Sequence, residues 1–441
     1  MSGPAGFDAR AWLDGHVNLE LGVGAPRARP RGAPTLERIS TLLTYLGTPE
    51  EEWPMVHVTG TNGKTSAARM TASVLTASGL RVGTFTSPHL ERLEERIAID
   101  GEPIAAADLD EMLYAVSLVE QATGVDPSHF EIMVAAAYRW FADAAVDVAV
   151  VEVGLGGRWD ATNAVAGEVA VVTNVGLDHT EWLGPTRADI AAEKAGIVVP
   201  GAPLVLGETD PALVPIFAAR TPEPLRLRDR DFGVRANRPA VGGRLVDLFT
   251  PEAAYPDVFV ALHGAHQGEN AAIAVAAAEA ALGEPVAGEA VAAGLATVSS
   301  PGRLEAVARD PLVLLDGAHN PAGINALRDA ITEEFGADVP TTYILGFSRE
   351  RDPREMLEHL GAQPERDLLV CTRAPHPRAL APALIGAAAT DLGFAADRIE
   401  VADSAAAAVG TALLATPADG RIVVTGSLYL VGAVRPVVIG R

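Results

Sequence analysis

Residues 55–66 read Met-Val-His-Val-Thr-Gly-Thr-Asn-Gly-Lys-Thr-Ser. The first five residues predict a strand (55–59) and the glycines a tight loop. Apolar periodicity from Lys64 to about Gly79 predicts a helix. Glycines let a backbone wrap an anion. A helix start aims unpaired N–H groups at the same point. The lysine adds charge for β- and γ-phosphates, and Thr65 or Ser66 offers a hydroxyl for Mg²⁺. The loop is shorter than the common G-x-x-x-x-G-K-[ST] pattern, but its order of strand, glycine loop, lysine, hydroxyl and helix is the same. Gly60 to Ser66 are therefore candidate phosphate ligands.

Downstream, strands are expected at about 81–86, 146–153, 169–175 and 203–206, with a helix at about 130–145. Strands alternating with helices predict an α/β fold with a parallel sheet covered on both faces. Residues 225–262 carry short β-like pieces and glycine pairs and predict a small antiparallel insert. Helices are expected at 266–282 and 288–298. After the linker-like SSPGR at 299–303 the α/β pattern restarts. Strands are expected at 312–315, 341–346, 367–372 and 421–425, and helices at 321–335 and 379–392. The expected domains are 1–298 and 299–441. The Pro/Arg-rich stretch 22–34 is expected as an exposed loop.

In parallel sheets ligands bind beyond the carboxyl ends of strands. Ser87 follows the second strand, Glu152 ends the third and His179 follows the fourth. All three are predicted on the edge that carries the phosphate loop, as a hydroxyl, a carboxylate and an imidazole able to hold Mg²⁺. Gly154-Leu155-Gly156-Gly157 lacks the spacing of a dinucleotide loop. It is expected as a tight turn that sets Arg158, Trp159 and Asp160 beside the site.

Composition narrows the chemistry. The 441 residues carry 34 Lys+Arg against 57 Asp+Glu, a net charge of −23. Such a chain repels nucleic acid and anionic membranes. The one cysteine, Cys371, excludes an intramolecular disulfide and a cysteine zinc cluster. No signal peptide or membrane span is evident, so a cytoplasmic protein is expected. Only two of the basic residues are lysines, Lys64 and Lys194. Both positions are expected to need what arginine lacks, a compact charge or a nucleophilic amine. At Lys194 the competing reading is a surface Glu–Lys pair.

The ordered set GTNGKTS, TSPHL…ERI, FE, EVGLGGRWDATN, GLDHTEWLG…EKAGI, HQGENAA, PGRLE and LDGAHNP resembles the folylpolyglutamate synthase/dihydrofolate synthase family of Mur-type ATP-dependent amide ligases. The resemblance runs from about His16 to the final strand. It implies a P-loop ATPase domain followed by a smaller Rossmann-like domain. It also implies ATP and Mg²⁺ as cofactors, and addition of L-glutamate to dihydropteroate, to folates, or to both, through an acyl phosphate. Lys64 would bind phosphates. Ser66, Ser87, Glu152 and His179 would serve Mg²⁺. Lys194 would be carbamylated into a carboxylate-like metal ligand. Asn270, Arg303 and Asp316 would bind ATP, with His319 near the phosphates, and domain closure would bring the second domain's residues to the nucleotide. The pterin would contact Glu20, Leu21 and Gly22, Ser128, His129, Phe130 and Glu131, and Trp159, Asp160 and Ala161. The sequence departs from the family in Thr65-Ser66 after the lysine, in Glu20, and in the arginine-rich 23–34 segment. A monomer working on small molecules is expected. The alternatives are a monofunctional polyglutamate synthase, a cell-wall Mur ligase and a nucleotide-dependent switch.

Overall fold

The computed structural model describes residues 6–21, 35–221 and 224–440. The expected loop at 22–34 and the pterin candidate Gly22 lie outside them. By contact, the chain divides into two compact units. The first holds 1–237, 245–260 and 268–298, and the second holds 238–244, 261–267 and 299–441.

The first unit is built on an eight-stranded sheet. Its strands are β1 (Met55–Thr59), β2 (Val82–Phe85), β3 (Ile97–Ile99), β4 (Glu102–Pro103), β5 (Val148–Glu152), β6 (Val169–Val172), β7 (Leu204–Leu206) and β8 (Leu225–Leu227). Their order is β4-β3-β2-β5-β1-β6-β7-β8. From β2 to β8 every pairing is parallel, and β3 and β4 add an antiparallel edge. β1, β5 and β6 are buried along their whole length, as near-continuous Val/Ala runs require when helices cover both faces. One face packs against the helices Ala106–Thr123 and His129–Asp143 around Phe85, Tyr138 and Phe141. The adjacent β2, β5, β1 and β6 bring the ends of their chain segments, residues 86–87, 152, 60 and 173, to one edge.

A meander of β9 (Gly233–Ala240), β10 (Gly243–Phe249) and β11 (Ala254–Val260) follows. Its two- and four-residue connections suit antiparallel neighbours. The insert is shorter than expected from the sequence. Leu225–Leu227 instead extends the main sheet in parallel with β7, because Leu225 and Leu227 pack on the same core as Leu204 and Leu206. The helix Ala106–Thr123 was not expected from the sequence.

The second unit is a six-stranded sheet of β12 (Glu305–Arg309), β13 (Leu312–Leu315), β14 (Thr341–Leu345), β15 (Leu368–Cys371), β16 (Ile399–Val401) and β17 (Arg421–Thr425), in the order β12-β13-β17-β14-β15-β16. All pairings but the β12–β13 edge are parallel. The helices Pro321–Phe335, Pro353–Leu360 and Pro382–Asp391 cover one face. Both units therefore have the α/β character expected from the sequence. Among the described residues no helix is long and apolar enough to cross a membrane.

Candidate active site

The loop after β1 is braced by the segment after β6. Thr61 N–H donates to the Asn174 carbonyl (3.0 Å), Asn62 N–H to Asn174 Oδ1 (3.0 Å), and Thr173 Oγ1 to the Asn62 carbonyl (2.6 Å). Two glycines are obligatory here. Gly60 (φ 153°) would bring a Cβ 1.8 Å from Thr173 Oγ1, and Gly63 (φ 82°) would place one 2.6 Å from Asn270 Oδ1. Asn270, from the helix Ala265–Leu282, thus lies against the phosphate loop. Gly63 caps the helix Lys64–Ala77, whose first N–H groups open at the loop. Lys64 is half-buried, and its Nζ rests 3.4 Å from the Thr61 carbonyl.

Glu152 is buried at the end of β5. Both its oxygens lie 3.0 Å from Thr65 Oγ1, and Ser87 N–H donates to Oε2 at 3.2 Å. The structure thus joins Thr65, Ser87 and Glu152 at one point. Ser66 is buried on the packed side of its helix. His179 starts the short helix Thr180–Leu183 with φ 50°, and its Nε2 lies 3.9 Å from Asp178 Oδ1. Among the described residues no three His, Cys, Asp or Glu side chains converge as a metal group. One carboxylate with hydroxyls beside a phosphate loop nevertheless suits Mg²⁺, which binds through one or two carboxylates plus nucleotide phosphates.

Lys194 ends the helix Arg187–Lys194 and is 3 % exposed. Its Nζ donates to the Gly60 carbonyl at 2.7 Å. The surface-pair reading is therefore wrong: the amine lies under the phosphate loop. Burial, and next the charge of Lys64, push its pKa down to about 7. A large fraction is then the neutral, nucleophilic amine at physiological pH.

The turn at 154–160 is organised from within. Asp160 is buried, and it accepts from Leu155 N–H (2.9 Å), Thr162 N–H (3.0 Å) and Thr162 Oγ1 (2.5 Å). Burial raises its pKa despite these bonds. Ala161 is also buried, whereas Trp159 is 45 % exposed. Phe130 occupies the space a Cβ on Gly154 would need (2.6 Å) and meets Phe85 edge-on.

Ser128 and Glu131 form a reciprocal cap on the helix His129–Asp143, and Arg38 reaches the Glu131 carboxylate at 3.1 Å. Glu20 is held by buried Arg96 (3.0 and 2.5 Å), which also donates to His89 Nδ1 (2.9 Å). Burial works against the Glu20 carboxylate, but Arg96 outweighs it and the pKa is lowered. Burial, and then Arg96, hold His89 and His129 at about 4, so both rings are neutral. Leu21 N–H donates to Asn18 Oδ1 (3.2 Å).

In the second unit, Asp316 follows β13, and its carboxylate accepts from Leu304 N–H and Ala318 N–H, both at 2.8 Å. Burial raises its pKa, and the nearby Arg303 opposes this. His319 is exposed and its Nδ1 lies 2.9 Å from the Gly317 carbonyl.

Sequence reading missed Thr173 and Asn174, Asp178, and the Arg96–His89 pair. The polar Thr-Asn directly after an apolar strand was a usable signal for the first two.

A strand–glycine loop–lysine–helix unit followed by a second parallel α/β unit is the architecture of a two-unit nucleotide-binding protein. Residues 58–278 match the Mur ligase middle domain, and residues 302–428 match the glutamate ligase domain of Mur ligases. The dihydrofolate synthase/folylpolyglutamate synthase of Mycobacterium tuberculosis is 39 % identical over 439 residues, covering 91 % of this chain and 89 % of the relative. The folylpolyglutamate synthase of Lacticaseibacillus casei is 39 % identical over 414 residues, covering 91 % and 94 %. The M. tuberculosis folylpolyglutamate synthase complexed with ADP and AMPPCP superimposes with a TM-score of 0.85 at 38 % identity, covering 92 % of this chain and 96 % of that one. Escherichia coli FolC in complex with DHPP and ADP gives 0.85 at 29 %, covering all of both chains. This chain belongs to the folylpolyglutamate synthase/dihydrofolate synthase family of Mur ligases. It is an ATP-dependent ligase, and its solved relatives hold ADP or the ATP analogue AMPPCP.

Proposed function

We propose that this ligase joins L-glutamate to dihydropteroate and to folates, as a bifunctional dihydrofolate synthase/folylpolyglutamate synthase. The observation that carries the reading is the shared edge of the first sheet. There a phosphate loop, the Thr65–Glu152 pair and the buried amine of Lys194 lie together, in a chain whose relatives bear those names. A monofunctional polyglutamate synthase is the second reading, favoured by the L. casei relative.

In the proposed reaction the acceptor carboxylate attacks the γ-phosphorus of ATP. An O–P bond forms, the bond to the β,γ-bridging oxygen breaks, and ADP leaves. The glutamate amine then attacks the acyl carbon of the acyl phosphate, phosphate departs, and the amine gives up a proton. Both reactants of the first step are anions, so the site must cancel charge. Lys64 and the N–H groups of residues 60–66 hold the phosphates, Asn270 packs on the loop, and His319 serves near the phosphates. Arg303 and Asp316 bind the nucleotide. Ser87, Glu152, His179 and a hydroxyl of Thr65 or Ser66 would hold Mg²⁺, which when bound would supply electrostatic stabilisation at the transferring phosphoryl group. The neutral Lys194 amine attacks CO₂; an N–C bond forms, a proton is released, and an anionic carbamate replaces the cation. The carbamate would be a further holder of the metal. Arginine cannot follow this course.

The pterin would lie against Glu20 and Leu21, Ser128 to Glu131 and Trp159 to Ala161. Residues 1–298 act as the ATP-binding domain and 299–441 as the ligase domain of a cytoplasmic monomer. The test is phosphate release from ATP with Mg²⁺ and L-glutamate, comparing 7,8-dihydropteroate with tetrahydrofolate and weighing the product. Glutamate added to both establishes two activities, and addition to tetrahydrofolate alone leaves a polyglutamate synthase. No stimulation by either refutes the folate reading, and a UDP-sugar acceptor is then the next substrate to try.

A further inference from the structure

β1 is buried throughout, yet its middle residue is His57, fully buried between Val56 and Val58. Burying an imidazole in an apolar strand costs free energy unless its polar atoms are used. His57 Nε2 lies 2.8 Å from Thr162 Oγ1. Nδ1 has no hydrogen-bond partner. A charged ring would need acceptors at both nitrogens, and burial drives the pKa down to about 3, so the ring is neutral.

The proton positions follow from the partners. Asp160 accepts two backbone N–H groups, which can only donate. The single Thr162 hydroxyl proton goes to Asp160 Oδ1 at 2.5 Å. Thr162 Oγ1 must then accept from His57, which fixes the Nε2–H tautomer. The chain of bonds runs from His57 through Thr162 and Asp160 to the amide of Leu155. Thr59 lies two residues along β1, on the same face as His57. Its hydroxyl donates to the Gly156 carbonyl at 2.7 Å. Two side chains of the strand that feeds the phosphate loop therefore grip the turn bearing Trp159. A third tie comes from Tyr138, whose hydroxyl donates to the Thr162 carbonyl at 2.9 Å.

We propose that His57 is a positioning residue: acting through Thr162 and Asp160, it holds the 154–160 turn, and with it Trp159, in register with the phosphate loop for the acceptor substrate. The substrate part rests on the proposed acceptor contacts of Trp159 to Ala161. His57 touches neither ATP nor acceptor in this scheme. Losing one hydrogen bond in the relay, about 1.4 kcal/mol, corresponds to about tenfold in acceptor affinity.

The test uses the full chain and steady-state kinetics with ATP, L-glutamate and whichever of 7,8-dihydropteroate and tetrahydrofolate it turns over. His57→Leu is expected to raise the acceptor KM about tenfold, leaving the ATP KM and kcat within about twofold. His57→Gln, which keeps a donor at the same reach, is expected to recover most of the loss. If His57→Leu does not fold, Thr162→Val carries the same comparison. In ¹⁵N-histidine spectra the wild-type ring should show the Nε2–H tautomer. An unchanged acceptor KM, an equal loss in ATP KM and kcat, or an Nδ1–H ring overturns the proposal. If the wild type turns over no pteroyl acceptor, the folate reading fails and hydrogen exchange of the 154–160 segment decides the relay. Faster exchange in His57→Leu, restored in His57→Gln, supports it, and unchanged exchange overturns it.

Discussion

Replacing Lys194 by methionine should abolish activity and at the same time make the folded chain more stable. Methionine keeps a similar length and removes the ionisable amine. In the native chain burial brings that amine from its usual 10.5 to about 7. Below pH 7 both the folded and unfolded chains carry the proton, and folding bears the full burial cost. Above 10.5 neither carries it and the cost vanishes. Wild-type stability therefore rises with pH between 7 and 10.5 from this group, and the methionine variant lacks that rise. A tenfold change in proton affinity is worth about 1.4 kcal/mol, so the cost is about 5 kcal/mol at pH 6 and about 2 kcal/mol at pH 9. The lost bond to the Gly60 carbonyl offsets about 1 kcal/mol at either pH. The variant's advantage should thus be about 3 kcal/mol larger at pH 6 than at pH 9. At about 2 °C per kcal/mol, its melting temperature should exceed the wild type's by about 6 °C more at the lower pH. The assay is thermal unfolding of both proteins without nucleotide, in EDTA and CO₂-depleted buffer. A melting difference that does not change with pH would show that Lys194 folds with an ordinary amine and carries no burial cost.

Gly63→Ala should abolish nucleotide binding with the fold retained, because a Cβ at φ 82° meets Asn270 Oδ1 at 2.6 Å; ATP binding by calorimetry with far-ultraviolet circular dichroism checks it. Glu20→Ala leaves Arg96, 2 % exposed, without its bidentate partner. A loss of about 3 kcal/mol is expected in denaturant unfolding, and a loss below about 1 kcal/mol would mean that water screens the pair. Asp316→Ala strands the amides of Leu304 and Ala318; the ATP KM should rise about tenfold, and an unchanged ATP dependence would remove Asp316 from the nucleotide site.

Local pattern made the strands, the phosphate loop and the restart near residue 300 readable. The helix Ala106–Thr123 went unread, although Leu109, Met112, Leu113, Val116 and Val119 recur at helical spacing and face the core. The pairings that complete the site were not readable. Lys194 reaches Gly60 across 134 residues, Thr65 reaches Glu152 across 87, and Arg96 reaches Glu20 across 76. Each joins segments far apart in the chain, and a single sequence does not disclose which segments the fold brings together. His57 shows the limit most clearly. Within MVHVT it reads as a polar interruption of a strand, and only the approach of Thr162 explains why an imidazole stands there.

The two lysines among 34 basic residues offer a direct measurement of how the site is wired. Lys64 is the second cause, after burial, of the lowered Lys194 pKa. The two ammonium groups would repel, so Lys194 gives up its proton more readily. An arginine at position 194 could not yield a proton at any physiological pH. A chain labelled with ¹³Cε-lysine should give only two lysine side-chain signals, and Lys64→Met leaves one. The remaining Lys194 signal should titrate at a higher pH than in the wild type, because its positive neighbour has gone while its burial has not changed. A midpoint that stays at about 7 in Lys64→Met would assign the whole lowering to burial and deny any coupling between the two amines.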